Sequence, residues 1–233
     1  GETECDDNQK LHHQLRNAIA EALDEPYYTD DVAMPMDPSA WVDRIQVPVF
    51  LTGQWQDEQT GPHFAALLDK FTGAPVTHFI VTNGVHPDGY SPQSLVEWIE
   101  FLYLFVAEEV PYVSPELQGL ATIFMSQIFG TPIALPDSKY DDFDDYDTAL
   151  AAYFEEKPLR VIFENGANDA VPPGAPVGTF DQRFEAWPIP GTVAERWYFQ
   201  PDGSLADTPP DAQGGQSAFE HDPDAGQRTI LAG

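Results

Sequence analysis

Two short apolar runs constrain the fold of this chain more than any other feature. Residues 47–52 read Val-Pro-Val-Phe-Leu-Thr, and residues 77–82 carry His-Phe-Ile-Val at their centre. Neither run alternates apolar with polar side chains, which is the pattern of a strand covered on both faces in a parallel sheet. The apolar spacing across residues 64–71 predicts a helix between them. Strand, helix and strand in that order predict a βαβ unit with a right-handed crossover, which brings the carboxyl ends of both strands to one edge of the sheet.

The flanking segments extend this α/β pattern. Leu11, Leu15, Ala18, Ile19, Ala22 and Leu23 form a helical stripe that stops before Pro26. A Pro- and Asp-rich loop follows, and Ser39 caps a short turn containing Trp41 and Val42. Ser91 caps a long helix with Pro92 in its first turn, and Leu95, Trp98, Ile99, Leu102 and Phe105 form the stripe predicted to be buried. Further helices are predicted over residues 115–129 and 148–154. Beyond Pro158 come a strand-like run at 159–163, Pro/Gly-rich turns, the run 196–200 and the turn Pro201-Asp202-Gly203. Short strands between turns predict an all-β part over residues 158–233, with the boundary near Lys157.

Charge narrows the partners. The 233 residues include 39 acidic and 10 basic side chains, a net charge of -29, while 42% apolar residues supply a core. A nucleic acid or an anionic membrane would have to be bound against this field, so neither is an expected partner. Dense carboxylate favours a salt-rich or extracellular setting. No run approaches the roughly 20 apolar residues of a membrane span, because Glu97 and Glu100 interrupt the best stretch. Cys5 is the only cysteine, so neither an internal disulfide nor a thiolate metal site is expected. The acidic opening Gly-Glu-Thr-Glu without an initiator methionine suggests a start inside a longer protein.

The residues that carry chemistry follow the two strands. After the first comes Thr52-Gly53-Gln54-Trp55-Gln56-Asp57-Glu58-Gln59-Thr60-Gly61, and after the second Asn83-Gly84-Val85-His86-Pro87-Asp88-Gly89. Ligands of open α/β sheets collect at such strand ends. Asp57 and His86 alone would each be an ordinary turn residue. Together, on successive strand ends, they stand in the order acid then base that follows the nucleophile in a serine hydrolase of α/β type. The nucleophile needs a strand–Gly-x-Ser-x-Gly–helix turn, which no serine here has. Ser39 and Ser91 read as caps, Ser126 lies within a helical pattern, and Ser204 and Ser217 fall in the all-β part; Cys5 has no preceding strand. The serine is expected upstream.

Several of these motifs are shared with one family. Arg44-Ile45-Gln46-Val47-Pro48-Val49-Phe50, the Gly53 to Asp57 turn and the Asn83 to His86 turn resemble the cocaine esterase and X-Pro dipeptidyl-peptidase family, the CocE/NonD hydrolases. Phe184-Glu185-Ala186-Trp187-Pro188, Arg196-Trp197-Tyr198-Phe199, Asp202-Gly203-Ser204-Leu205 and Phe219-Glu220-His221-Asp222-Pro223 are similar to the start of that family's jelly-roll. The resemblance covers residues 40–233. It implies the carboxyl-terminal part of an α/β-hydrolase fold over residues 1–157, with 1–39 a helical cap piece, then a partial jelly-roll β-sandwich over 158–233. It implies Asp57 as triad acid and His86 as general base, and hydrolysis of a small-molecule ester or amide, or a peptide, through an acyl-serine without metal or organic cofactor. The missing upstream part of the same protein would then be a partner of this chain, which alone should be inactive. Where the family often has a second glycine this chain has Gln54, and where it has glycine after the histidine this chain has Pro87.

Other candidates have plainer readings. His12 and His13 are adjacent, and adjacent helical side chains point about 100° apart, so a solvated face is expected rather than a metal site. His63 and His78 are expected to be structural. The acidic run at 141–147 lacks the glycine and terminal glutamate of an EF-hand, so it is read as a solvated loop. Trp55 is either a wall of the substrate pocket or packed beneath the loop; Trp98 and Trp187 are assigned to packing. The alternative to a hydrolase is a non-catalytic binding or interaction protein on the same scaffold.

Overall fold

The computed structural model describes residues 23–25, 27, 29–35, 37–165, 171, 175–211 and 218–221. The predicted helix over residues 10–23, together with Cys5, His12, His13 and Ser217, lies outside them apart from Leu23. The central element is a four-stranded mixed sheet in the order β1 (Val49–Gln54), β2 (Thr77–Thr82), β3 (Leu159–Ile162) and β4 (Asp181–Phe184). β1, β2 and β3 run parallel, and β4 pairs antiparallel with β3. A separate two-stranded antiparallel ribbon joins β5 (Tyr198–Phe199) to β6 (Leu205–Ala206).

β2 is apolar without alternation because both its faces are covered. Phe79 and Val81 pack with Val42, Leu68, Phe71, Leu159 and Val161 on one side. On the other, Phe50 of β1 stacks on His78 of β2 at 5.2 Å and meets Phe101 at 5.5 Å. Phe101 belongs to helix α1 (Pro92–Leu102), which packs with Ala149 and Tyr153 of helix α3 (Tyr146–Phe154). Helix α2 (Pro115–Phe129) adds a further apolar cluster through Ala121, Met125 and Phe129, joined to α1 at Val96.

Three expectations change. Residues 61–67 form a 3₁₀ segment (Gly61–Leu67) rather than the α-helix predicted at 64–71; the run is short and opens on Gly61, at φ 66°, followed by Pro62. The strand at residue 159 does not begin a separate all-β part. Leu159, Val161 and Ile162 are all buried, and β3 extends the parallel sheet beside β2, so a cut at Lys157 would run through that sheet. The buried side of α1 is also wider than predicted: Leu95, Ile99 and Phe105 of the predicted stripe are partly buried against the core, but Ser94, Val96, Glu97, Glu100 and Phe101 are buried and Trp98 is 44% exposed. Ser91 does cap this helix, its Oγ accepting from the Ser94 N–H at 3.3 Å.

The polar side of α1 is buried because it is paired. Glu97 Oε2 lies 2.6 Å from His78 Nε2, and Glu97 Oε1 accepts from Arg160 Nη1 of β3 at 2.5 Å and Arg183 Nη2 of β4 at 2.7 Å. His78 Nδ1 reaches Tyr153 Oη at 3.0 Å. One carboxylate thus ties α1 to three strands, and through His78 to α3. Burial works against its charge but is outweighed by His78, Arg183 and Arg160, which hold Glu97 well below the usual glutamate range.

Candidate acid–base site at the strand ends

Register brings the candidate residues together. Gln54 pairs with Thr82, and Thr82 with Ile162, so β1, β2 and β3 end at one level of the sheet. Asp57, His86 and Asn165 lie three or four residues beyond those ends. Gly53 permits the turn out of β1 to sit tight, since a Cβ there would fall 2.2 Å from the Phe64 ring.

Asp57 and His86 meet directly. His86 Nδ1 lies 2.8 Å from Asp57 Oδ2, while Asp57 Oδ1 accepts from the backbone N–H of Gln59 at 2.7 Å and of Thr60 at 2.8 Å. The Asp57 side chain is 5% exposed and that of His86 42%. Burial opposes the Asp57 charge, but the Thr60 N–H, the His86 ring and the Gln59 N–H outweigh it and hold the carboxyl well below its usual range. An ionised acceptor at Oδ2 fixes the Nδ1–H tautomer, leaving the Nε2 lone pair as the available base. Among the described residues Nε2 has no hydrogen-bond partner.

The loop that carries His86 is itself clamped. Asp88, 2% exposed, accepts from Val85 N–H and from Asn165 Nδ2 through Oδ2, both at 2.8 Å, and its Oδ1 has no partner among the described residues. Burial, reinforced by Glu58 and only partly offset by these two hydrogen bonds, pushes its pKa up to about 6. A carboxyl raised in this way binds its proton more tightly folded than unfolded. The resulting stabilisation is present below the ordinary value of 3.8 and is lost as pH rises through about 6. Asp88→Asn keeps an acceptor for Val85 and removes the buried charge. Between about pH 3.5 and 7.5 its stability relative to the parent should therefore rise by about 3 kcal/mol, read from urea unfolding at both ends of that range; an unchanged difference would contradict the assignment.

Beside His86 opens a cavity of about 480 Å³ whose lining includes Phe50, Thr52, Gln54, Asp57, Phe64, Gly89, Tyr90, Ser94, Leu95 and Trp98. Trp98, assigned to packing from the sequence, is therefore part of this wall. Trp55, the first residue past β1, is not in this lining; it packs against Phe64 at 5.1 Å and Trp187 at 5.8 Å, partly buried on the core around β2. Ser94 is fully buried, and the Ser91 hydroxyl donates to its Oγ at 3.0 Å, at the start of a helix rather than on a strand-to-helix elbow.

His78 is structural, as described above, whereas His63 is exposed. In the acidic run, Asp145 caps α3 by accepting from the Thr148 N–H at 2.9 Å and its hydroxyl at 2.7 Å. The described residues contain no group of three or more His, Cys, Asp or Glu placed to hold a metal ion, and no described helix is long and apolar enough to cross a membrane. Asp88, Asn165 and Ser94 are not singled out by the sequence, and Gln54 only as a departure from the family's turn. Their residue types are ordinary in turns and caps, and only the strand register brings them to this edge. Comparison with protein-family models, with curated proteins and with solved structures yields no match.

Proposed function

We propose that Asp57 and His86 are the acid and base of a serine hydrolase whose nucleophile is carried by sequence outside this chain. The observation that carries the reading is the 2.8 Å contact between Asp57 Oδ2 and His86 Nδ1, with Nε2 open beside a cavity at the shared end of parallel strands. In this reading the sheet β1 to β4 with its helices is the last part of an α/β-hydrolase domain, and β5 and β6 begin a jelly-roll. It is supported by β1 being the outermost strand of the described sheet, which leaves one edge open to a further strand.

The chemistry is acyl transfer. His86 Nε2 takes the hydroxyl proton as the serine oxygen attacks an ester or amide carbonyl, and Asp57 stabilises the imidazolium. The imidazolium then returns the proton to the leaving alcohol or amine as the carbonyl–leaving-group bond breaks. Water, activated by the same nitrogen, cleaves the acyl-serine and restores both partners. Reaction with a fluorophosphonate tests this: a protein that includes the upstream sequence should be modified on a serine there, and this chain alone should not react.

A further inference from the structure

We propose that Gln54 is a ligand-binding residue, its side-chain amide donating a hydrogen bond to an oxygen of an uncharged aromatic ester or ketone held in the cavity beside His86. Gln54 is 5% exposed, and among the described residues its buried Nε2 has no hydrogen-bond partner. Such a donor, stripped of water and unmatched, costs free energy that a ligand acceptor recovers. Gly89 packs directly against this side chain. A Cβ there would lie 3.0 Å from Gln54 Nε2 and 3.1 Å from Thr52 Oγ1, closer than ordinary packing, so a glycine at this position lets both polar side chains stand in the cavity lining beside the His86 loop.

The rest of the lining sets the ligand's chemical class. Phe50, Phe64, Leu95 and Trp98 offer an apolar, largely aromatic wall suited to a flat body. Among the described residues no Lys or Arg lines the cavity, and the one acidic residue that does, Asp57, already receives two backbone N–H groups and the His86 ring. A carboxylate ligand would enter unpaired against a net charge of -29. The inference deepens the hydrolase reading by naming the substrate class of the same site, but its own test needs neither nucleophile nor proton transfer.

Titration of this chain with acetophenone and with ethylbenzene, followed in ¹H–¹⁵N spectra, separates the hydrogen bond from the apolar contact. Acetophenone should bind about tenfold more tightly and move the Gln54 side-chain amide resonances, which ethylbenzene should leave in place. Benzoate should bind more weakly than acetophenone. Gln54→Leu should remove the preference for the ketone. Equal affinities, unmoved Gln54 resonances at saturation, tighter binding of benzoate, a preference that survives Gln54→Leu, or no binding of either neutral probe would each overturn the proposal. The wild-type resonances decide the matter even if the variant fails to fold. Ketone binding through Gln54 without fluorophosphonate labelling of the extended protein would sink the hydrolase reading alone, and the converse would sink this one alone.

Discussion

In a protein that supplies the serine, Asp57→Asn should slow acylation by about four orders of magnitude while leaving KM nearly unchanged. The reason lies in how Asp57 is held. Its Oδ1 is fixed by the N–H groups of Gln59 and Thr60, so an asparagine keeps its carbonyl oxygen there and turns its NH₂ toward His86 Nδ1. A donor facing Nδ1 forces the imidazole proton onto Nε2, the nitrogen that must accept the serine proton. Shape is kept and the tautomer is reversed. Pre-steady-state hydrolysis of a p-nitrophenyl ester measures the acylation step, and a loss of less than about tenfold would show that Asp57 does not set the tautomer of the reacting base.

The second large effect is on stability. Glu97→Gln should destabilise the fold by about 3 kcal/mol, the lower end of what breaking a buried ion pair costs. The amide cannot neutralise Arg160 and Arg183, which keep only their outer partners, Asp181 and Glu156. These outer pairs place the cost at the low end. Because the Glu97 pKa is depressed, its stabilisation is present above the usual glutamate range and is lost progressively as pH falls from that range toward the depressed folded value. Urea unfolding near neutral pH should show a lower midpoint, and the gap between variant and parent should narrow in acid. A neutral effect at pH 7 would mean that the cluster contributes no net stabilisation.

These two carboxylates show how differently the sequence displays structure and site. Residues 47–52 and 77–82 were legible as strands because burial on both faces removes alternation, and Asp57 and His86 were legible because they follow those strands directly. The same rule applied to Leu159, Val161 and Ile162 identifies another buried parallel strand. Pro158 before it and the Pro/Gly-rich turns beyond it point instead to a different architecture. Helix α1 misleads for another reason. Hydrophobic periodicity scores Glu97, Glu100 and Ser94 as solvent-facing, yet ion pairs and hydrogen bonds with residues distant in sequence let them be buried while Trp98 lines a cavity. Gln54, Asp88 and Asn165 share this property: their significance depends on which strand end lies beside which, and register is not written in local composition.

Whether the open Nε2 of His86 serves a serine outside this chain is decided by fluorophosphonate labelling of the protein extended upstream, read by intact mass and peptide mapping. One adduct is expected, on a serine preceding Gly1 at a strand-to-helix turn, formed rapidly in the parent and suppressed in His86→Ala. An unlabelled parent protein, or labelling that proceeds undiminished in His86→Ala, would contradict this role of His86.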